Sequence, residues 1–137
     1  MAREKGWGPE DTAQAAIVKA LRTVLPRTAI VLHIPNGGRL TEWSKMRIYG
    51  HLGGVRGAPD LMILWDGGVG FMEVKAPGKY PNPDQRAFAN KLTAINVPWA
   101  CVRSIDDALA AAAAWGIPVT LTKPKGSKGV VIEVEAL

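Results

Sequence analysis

The sequence predicts an α/β fold in which helices flank a mixed central sheet, and three observations carry that prediction. Apolar residues recur at helical spacing through residues 9–25. Two short apolar runs, residues 61–65 and 69–72, stand on either side of Asp66-Gly67-Gly68, a hairpin signal. A helical stretch then joins Lys75 to a further apolar run at residues 97–102, the pattern of a crossover to a parallel strand.

A chain of 137 residues fits one domain with a sizeable core. Residues 1–8 read as a polar lead-in anchored by Trp7, residues 9–118 as the domain, and residues 119–137 as an extension. Hydrophobic content of 47% with 21% charged residues is globular composition. No apolar run approaches the roughly 20 residues that span a bilayer, so no membrane partner is expected. The first residues lack the apolar centre of a signal peptide, which predicts a cytoplasmic location. Cys101 is the single cysteine. It excludes an internal disulfide and a thiolate zinc cluster, and its apolar neighbours predict a small buried filler. Seventeen Lys and Arg against twelve Asp and Glu, a net charge of +5, permit a nucleic-acid partner without requiring one.

Taken in order, Pro9 suits the first turn of a helix. Ala13, Ala16, Ile17, Ala20, Leu21 and Val24 then form one apolar stripe that ends before Pro26. Glu10 projects within roughly 20° of Ile17, toward the core, and Gln14 flanks the stripe at about 60°. A carboxylate so aimed calls for a metal or basic partner, unless it sits in a frayed, solvated first turn. Residues 28–34, β-branched and apolar, form the first strand, closed by Pro35-Asn36-Gly37-Gly38. His33 within it reads as a hydrogen-bonded structural residue or as a group at the strand end.

Residues 39–56 are the least regular, with a helix expected around residues 41–49. Arg39, Lys45, Arg47 and Arg56 alternate there with Trp43 and Tyr49, a composition that suits either a phosphate backbone or a solvated surface helix. After a turn-rich link containing Lys79, a second helix is expected over residues 84–95 with Phe88, Leu92 and Ile95 inward. Gln85 lies within roughly 20° of Leu92 and so reaches the same side. Ser104-x-x-Asp107 marks the start of a third helix, residues 105–115. The tail, with strand-like pieces near residues 119–122 and 130–135, reads as a hairpin, an edge strand used for dimerisation, or a partly ordered end.

Strand parity brings the charges together. With a two-residue loop, either Gly67-Gly68 or Asp66-Gly67, Asp60 falls opposite Lys75 or Glu73 respectively, and in both registers Asp60, Glu73 and Lys75 share one face. A loop of three would separate them unless a bulge intervened. Two carboxylates beside an ammonium form either an ordinary salt bridge or a site for a hard divalent cation that leaves positions for water and a phosphate oxygen. The second reading supplies the parts of phosphodiester hydrolysis.

The order helix, three strands, helix, strand, with Pro59-Asp60, Glu73-x-Lys75 and a following helical Gln85, resembles the αβββαβ core of the PD-(D/E)XK nuclease superfamily. Within it, Glu10-x3-Gln14, His33-Ile-Pro-Asn36-Gly-Gly, Gly54-Val-Arg-Gly-Ala-Pro-Asp60-Leu, Phe71-Met-Glu73-Val-Lys75-Ala-Pro and Gln85-x2-Phe88 resemble a stand-alone virus-type replication-repair nuclease (VRR-NUC) domain over residues 9–115. The resemblance implies Asp60, Glu73 and the backbone carbonyl of Val74 as ligands of Mg²⁺ or Mn²⁺, with Glu10 joining directly or through water. It implies Lys75 as the residue that positions the attacking water, Gln85 and Gln14 as supports, and no organic cofactor. It also implies a homodimer cleaving branched DNA such as four-way junctions, with Arg39, Lys45, Arg47, Arg56 and Lys79 on the nucleic acid. A non-catalytic DNA-binding or assembly module with the same fold, or a nuclease directed at RNA, would share most of these features.

Overall fold

A computed structural model of the chain describes residues 8–35, 41–121 and 132–134. It is a mixed α/β structure. Helix α1, Pro9–Val24, starts where Pro9 occupies the first turn and the Asp11 carboxylate accepts a hydrogen bond from Gly8 N–H at 3.2 Å. It ends where Leu25, extended ahead of Pro26, leaves helical geometry. Its Ile17 and Leu21 are buried.

Strands β1 (Ile30–His33), β2 (Leu61–Trp65), β3 (Gly68–Val74) and β4 (Trp99–Val102) lie side by side in that order. The first three are antiparallel, and β3 and β4 are parallel, the crossover between them being helix α3, Pro83–Ala94. Helix α4, Ile105–Ala114, starts as Ser104-x-x-Asp107 predicts: the Ser104 hydroxyl accepts from Asp107 N–H at 3.1 Å. Strands β5 (Val119–Leu121) and β6 (Ile132–Val134) pair antiparallel as a separate two-stranded sheet, and the segment that joins them lies outside the described residues.

Register settles the loop. Trp65 pairs with Gly68, so Asp66-Gly67 is the turn, with Gly67 at φ 92° in the left-handed region that a side chain disfavours. Leu61, Ile63, Met72 and Val74 consequently share one face. They are buried against Ile17 and Leu21 of α1 and Ala108 and Ala112 of α4, each large side chain contributing about 1.5–3 kcal/mol. Alanines at the α1–α4 contact let the two helices lie against the sheet together.

The other face is covered only in part, by α3. Met62, Leu64, Val69 and Phe71 are half-buried, and on the edge strand Ile30 and Leu32 are 50% and 42% exposed. Apolar runs such as residues 61–65 and 69–72 predict burial on both faces, and burial is complete on the α1–α4 side alone. Three further differences are local. Helical structure after Thr41 is a short α2, Glu42–Lys45, that widens into a π-helical segment, Met46–His51. Ile95, expected inward, is 67% exposed, because α3 stops at Ala94 and the chain reverses through Asn96 at φ 61°. Cys101 is only partly buried. Among the described residues no helix is long and apolar enough to cross a membrane.

Candidate active site

Extending the β2–β3 register by one pair puts Asp60 opposite Glu73. Both lie on the α3 side of the sheet, and Lys75 follows two residues later on the same side. Asp60 is held twice through its backbone carbonyl, which accepts from Ile34 N–H at 2.7 Å and lies 3.2 Å from His33 Nδ1. Its Oδ2 accepts from Val74 N–H at 2.8 Å. The carboxylate is thus tied to the main chain at the end of β3.

Glu73 is 1% exposed and is the buried charged residue of the described core. Its Oε1 accepts from Gln85 Nε2 at 2.6 Å and lies 3.6 Å from Lys75 Nζ. Its Oε2 is buried with no hydrogen-bond donor. Burial pushes the Glu73 carboxyl up to about 8, the Asp60 charge adds to the rise, and Lys75 opposes it. Asp60 is also raised, first by burial, with the Val74 N–H, Lys75 and a hydrogen bond from Glu73 acting against the rise. Both carboxyls are thus pushed toward their neutral forms, because two adjacent buried carboxylates resist double ionisation.

Gln85 owes its orientation to the start of α3. Asn82 Oδ1 accepts from Gln85 N–H at 2.9 Å, and Gln85 Oε1 accepts from Asn82 N–H at 2.8 Å, a reciprocal capping box. With its oxygen committed to the cap, the amide presents Nε2 to Glu73. Gly57 packs against the same turn at φ 78°, and a Cβ there would run into the Asp84 carbonyl. The glycine thus allows the approach to Asp60 and the first turn of α3 to touch.

Glu10 stands at the rim, half-buried. Burial raises its carboxyl, Lys75 and the Ala76 N–H counter this, and Asp60 adds to it, so Glu10 shares an electrostatic environment with the buried pair. Among the described residues, no group of three or more His, Cys, Asp or Glu side chains is drawn together tightly enough to hold a metal. Gln14 lies outside the Asp60–Glu73 pair: its Nε2 is 2.8 Å from His33 Nδ1, the same nitrogen that lies 3.2 Å from the Asp60 carbonyl, so Nδ1 either accepts from Gln14 or donates to Asp60 according to its tautomer. His33 is thus a hydrogen-bonded strand residue whose bonds serve the site.

The basic residues divide. Lys45 pairs with Glu42 at 3.3 Å, and Arg47 lies over the Trp43 ring at 4.8 Å, both within their own segment. Arg56 stacks on Tyr49 at 4.5 Å and lines a polar niche with Gly57, Asn82, Asp84 and Gln85, which joins it to the site. Lys79 is exposed on the turn after Lys75, its carbonyl held by Arg103 at 2.7 Å. Arg39 lies outside the described residues. Asn82, as the residue that orients Gln85, was missed by sequence reasoning. Asn82-x-x-Gln85 before an apolar run is the capping-box signal that would have found it.

The donor types fit a hard divalent cation: two carboxylates on one face of the sheet, and a buried Glu73 Oε2 without a hydrogen-bond partner. No protein-family model matches the chain, and no significant match to a curated protein is found.

Proposed function

We propose that the protein is a divalent-metal-dependent nuclease of the PD-(D/E)XK type, similar to the VRR-NUC domain, that hydrolyses DNA phosphodiester bonds as a homodimer acting on branched DNA. The observation that supports it most is the meeting of Asp60, Glu73, Lys75 and Gln85 on one face, with Glu73 buried and its Oε2 without a donor.

Asp60, Glu73 and the Val74 carbonyl would hold Mg²⁺ or Mn²⁺, with Glu10 contributing directly or through water. When bound, the cation neutralises phosphate charge and makes its water more acidic. The chain's own residues do the rest. Gln85 Nε2 fixes Glu73 Oε1 and leaves Oε2 facing the cation position. Val74 N–H fixes Asp60 Oδ2. Lys75 Nζ, 12% exposed along its side chain, holds the attacking water and the phosphate oxygen it approaches. Water adds its oxygen to phosphorus and gives up a proton to solvent, the P–O bond to the departing sugar breaks, and that oxygen leaves with a proton from solvent.

The test is incubation of the purified chain with linear and four-way-junction DNA, and with an RNA strand, in Mg²⁺ or Mn²⁺ beside Asp60→Ala. The expected result is metal-dependent cleavage of the junction that the substitution abolishes. Equal cleavage by both proteins, or DNA binding with no cleavage under either metal, would overturn the reading.

A further inference from the structure

On the α3 side of the sheet, next to the acidic pair, lies an apolar cleft of about 410 Å³. Its walls include Met62, Phe71, Phe88, Ile48, Tyr49 and Val55. Phe71 and Phe88 meet edge to face with centroids 6.2 Å apart, and Val55 is 52% exposed. The volume lies low in the roughly 300–1,000 Å³ range of small-molecule pockets.

Its position relative to the acids follows from the register. Phe71 precedes Glu73 by two residues on β3, and Met62 follows Asp60 by two. All four share a face, so the cleft begins one pleat repeat, about 7 Å, from the carboxylates. Tyr49 and Ala58 also line the polar niche of about 170 Å³ that contains Arg56, Asp84 and Gln85. Gln85 in turn bonds Glu73. The acidic pair, a niche with one guanidinium and an aromatic-walled cleft thus adjoin one another, as the phosphate, sugar and base of a nucleotide do.

We infer that the cleft receives a single unpaired nucleobase from the strand whose phosphate lies at Asp60, Glu73 and Lys75. This rests on the reading of those residues as a phosphodiesterase site. A base offers a π-face to aromatic rings without any need for sequence readout. A base stacked within duplex cannot enter unless it leaves the helix, so the cleft favours strands already unpaired at the cleavage point. Branched DNA supplies such strands at its junction.

The experiment compares a duplex carrying a one-nucleotide bulge with its fully paired counterpart. Cleavage rate is measured with Mg²⁺ or Mn²⁺, and affinity by fluorescence anisotropy without metal. The bulged duplex is expected to be favoured by about tenfold, the change equivalent to stacking one base. Met62→Trp, which fills the cleft, is expected to bring that ratio close to one while sparing the paired substrate. Val55→Glu at the rim should do the same, whereas Leu52→Glu, equally charged, 66% exposed and outside the cleft, should not. Cleavage of both duplexes with a ratio that neither cleft variant alters overturns the cleft and retains the nuclease. Cleft-dependent preference in binding without any cleavage retains the cleft and overturns the nuclease. A change of oligomeric state in Met62→Trp, with the preference intact, makes the cleft an interface between copies and overturns the proposal.

Discussion

Gln85 Nε2 lies 2.6 Å from Glu73 Oε1, and the same amide's oxygen is bound to Asn82 N–H at 2.8 Å. A helix cap and a buried acid are thereby joined by one side chain. Gln85→Leu removes both bonds and leaves Glu73 with Lys75 as its remaining partner. The expected loss is about 1–3 kcal/mol in a urea titration, the cost of a buried polar group left unsatisfied. Unchanged stability would mean that the cap and the acid are independent.

The acidic pair makes metal-free stability fall as pH rises. Glu73 in the folded chain holds its proton up to about 8, above the ordinary 4.5, so the folded state binds more protons across that interval. Stability is then fullest below pH 4.5 and declines toward pH 8, by up to about 1.4 kcal/mol for each pH unit. Asp60 and Glu10 are displaced in the same direction and add to the slope. In chelator, Glu73→Gln is expected to be more stable than the parent at pH 8 and equal to it near pH 4. A parent that is the more stable of the two at pH 8 would refute the assignment.

Added Mn²⁺ should reverse that slope. Metal binding requires both acids ionised, so the rise in melting temperature should be small at pH 5 and large at pH 8. Glu73→Gln and Asp60→Ala should show little rise at either pH. A rise of equal size in the variants would locate the metal elsewhere.

Lys75→Ala is expected to lower kcat by about 10²–10⁴, the range for a positioned proton-handling group, while the Mn²⁺ midpoint moves little. Loss of metal affinity with kcat intact would make Lys75 a structural counter-charge.

Gly57→Ala tests the link between the approach to Asp60 and α3. The position has φ 78° and its Cβ would strike the Asp84 carbonyl. Strain of about 1–3 kcal/mol is expected from the conformation alone, with a further drop in activity as Gln85 is displaced. A silent substitution would show that α3 is free to move away.

Much of this was legible in the residues, for identifiable reasons. Parity made Asp60, Glu73 and Lys75 coplanar in either register, and the turn at Asp66-Gly67 chose the one that pairs the acids. Helical angle alone turned Gln85 inward. What was not legible depends on tertiary structure. No pattern told that α3 covers only part of its face, leaving Met62 and Phe71 to line a cleft. The π-helical widening at Met46–His51 has no periodicity that separates it from an ordinary helix. For Glu10 a helical wheel gives direction and not distance, and its electrostatic link to Asp60 and Lys75 emerges only in the folded chain.

The two-residue turn between β2 and β3 works as a phase setting for the whole site. One residue fewer would leave too short a turn for the present pairing and would slide β3 one place against β2, sending Glu73 and Lys75 into the greasy layer under α1 and α4. Met72 and Val74 would surface in their place. One residue more can be taken up as a three-residue loop with the pairing intact. The site therefore tolerates growth of the turn and not its shortening, and Gly67, at φ 92°, is the residue in it that resists a side chain.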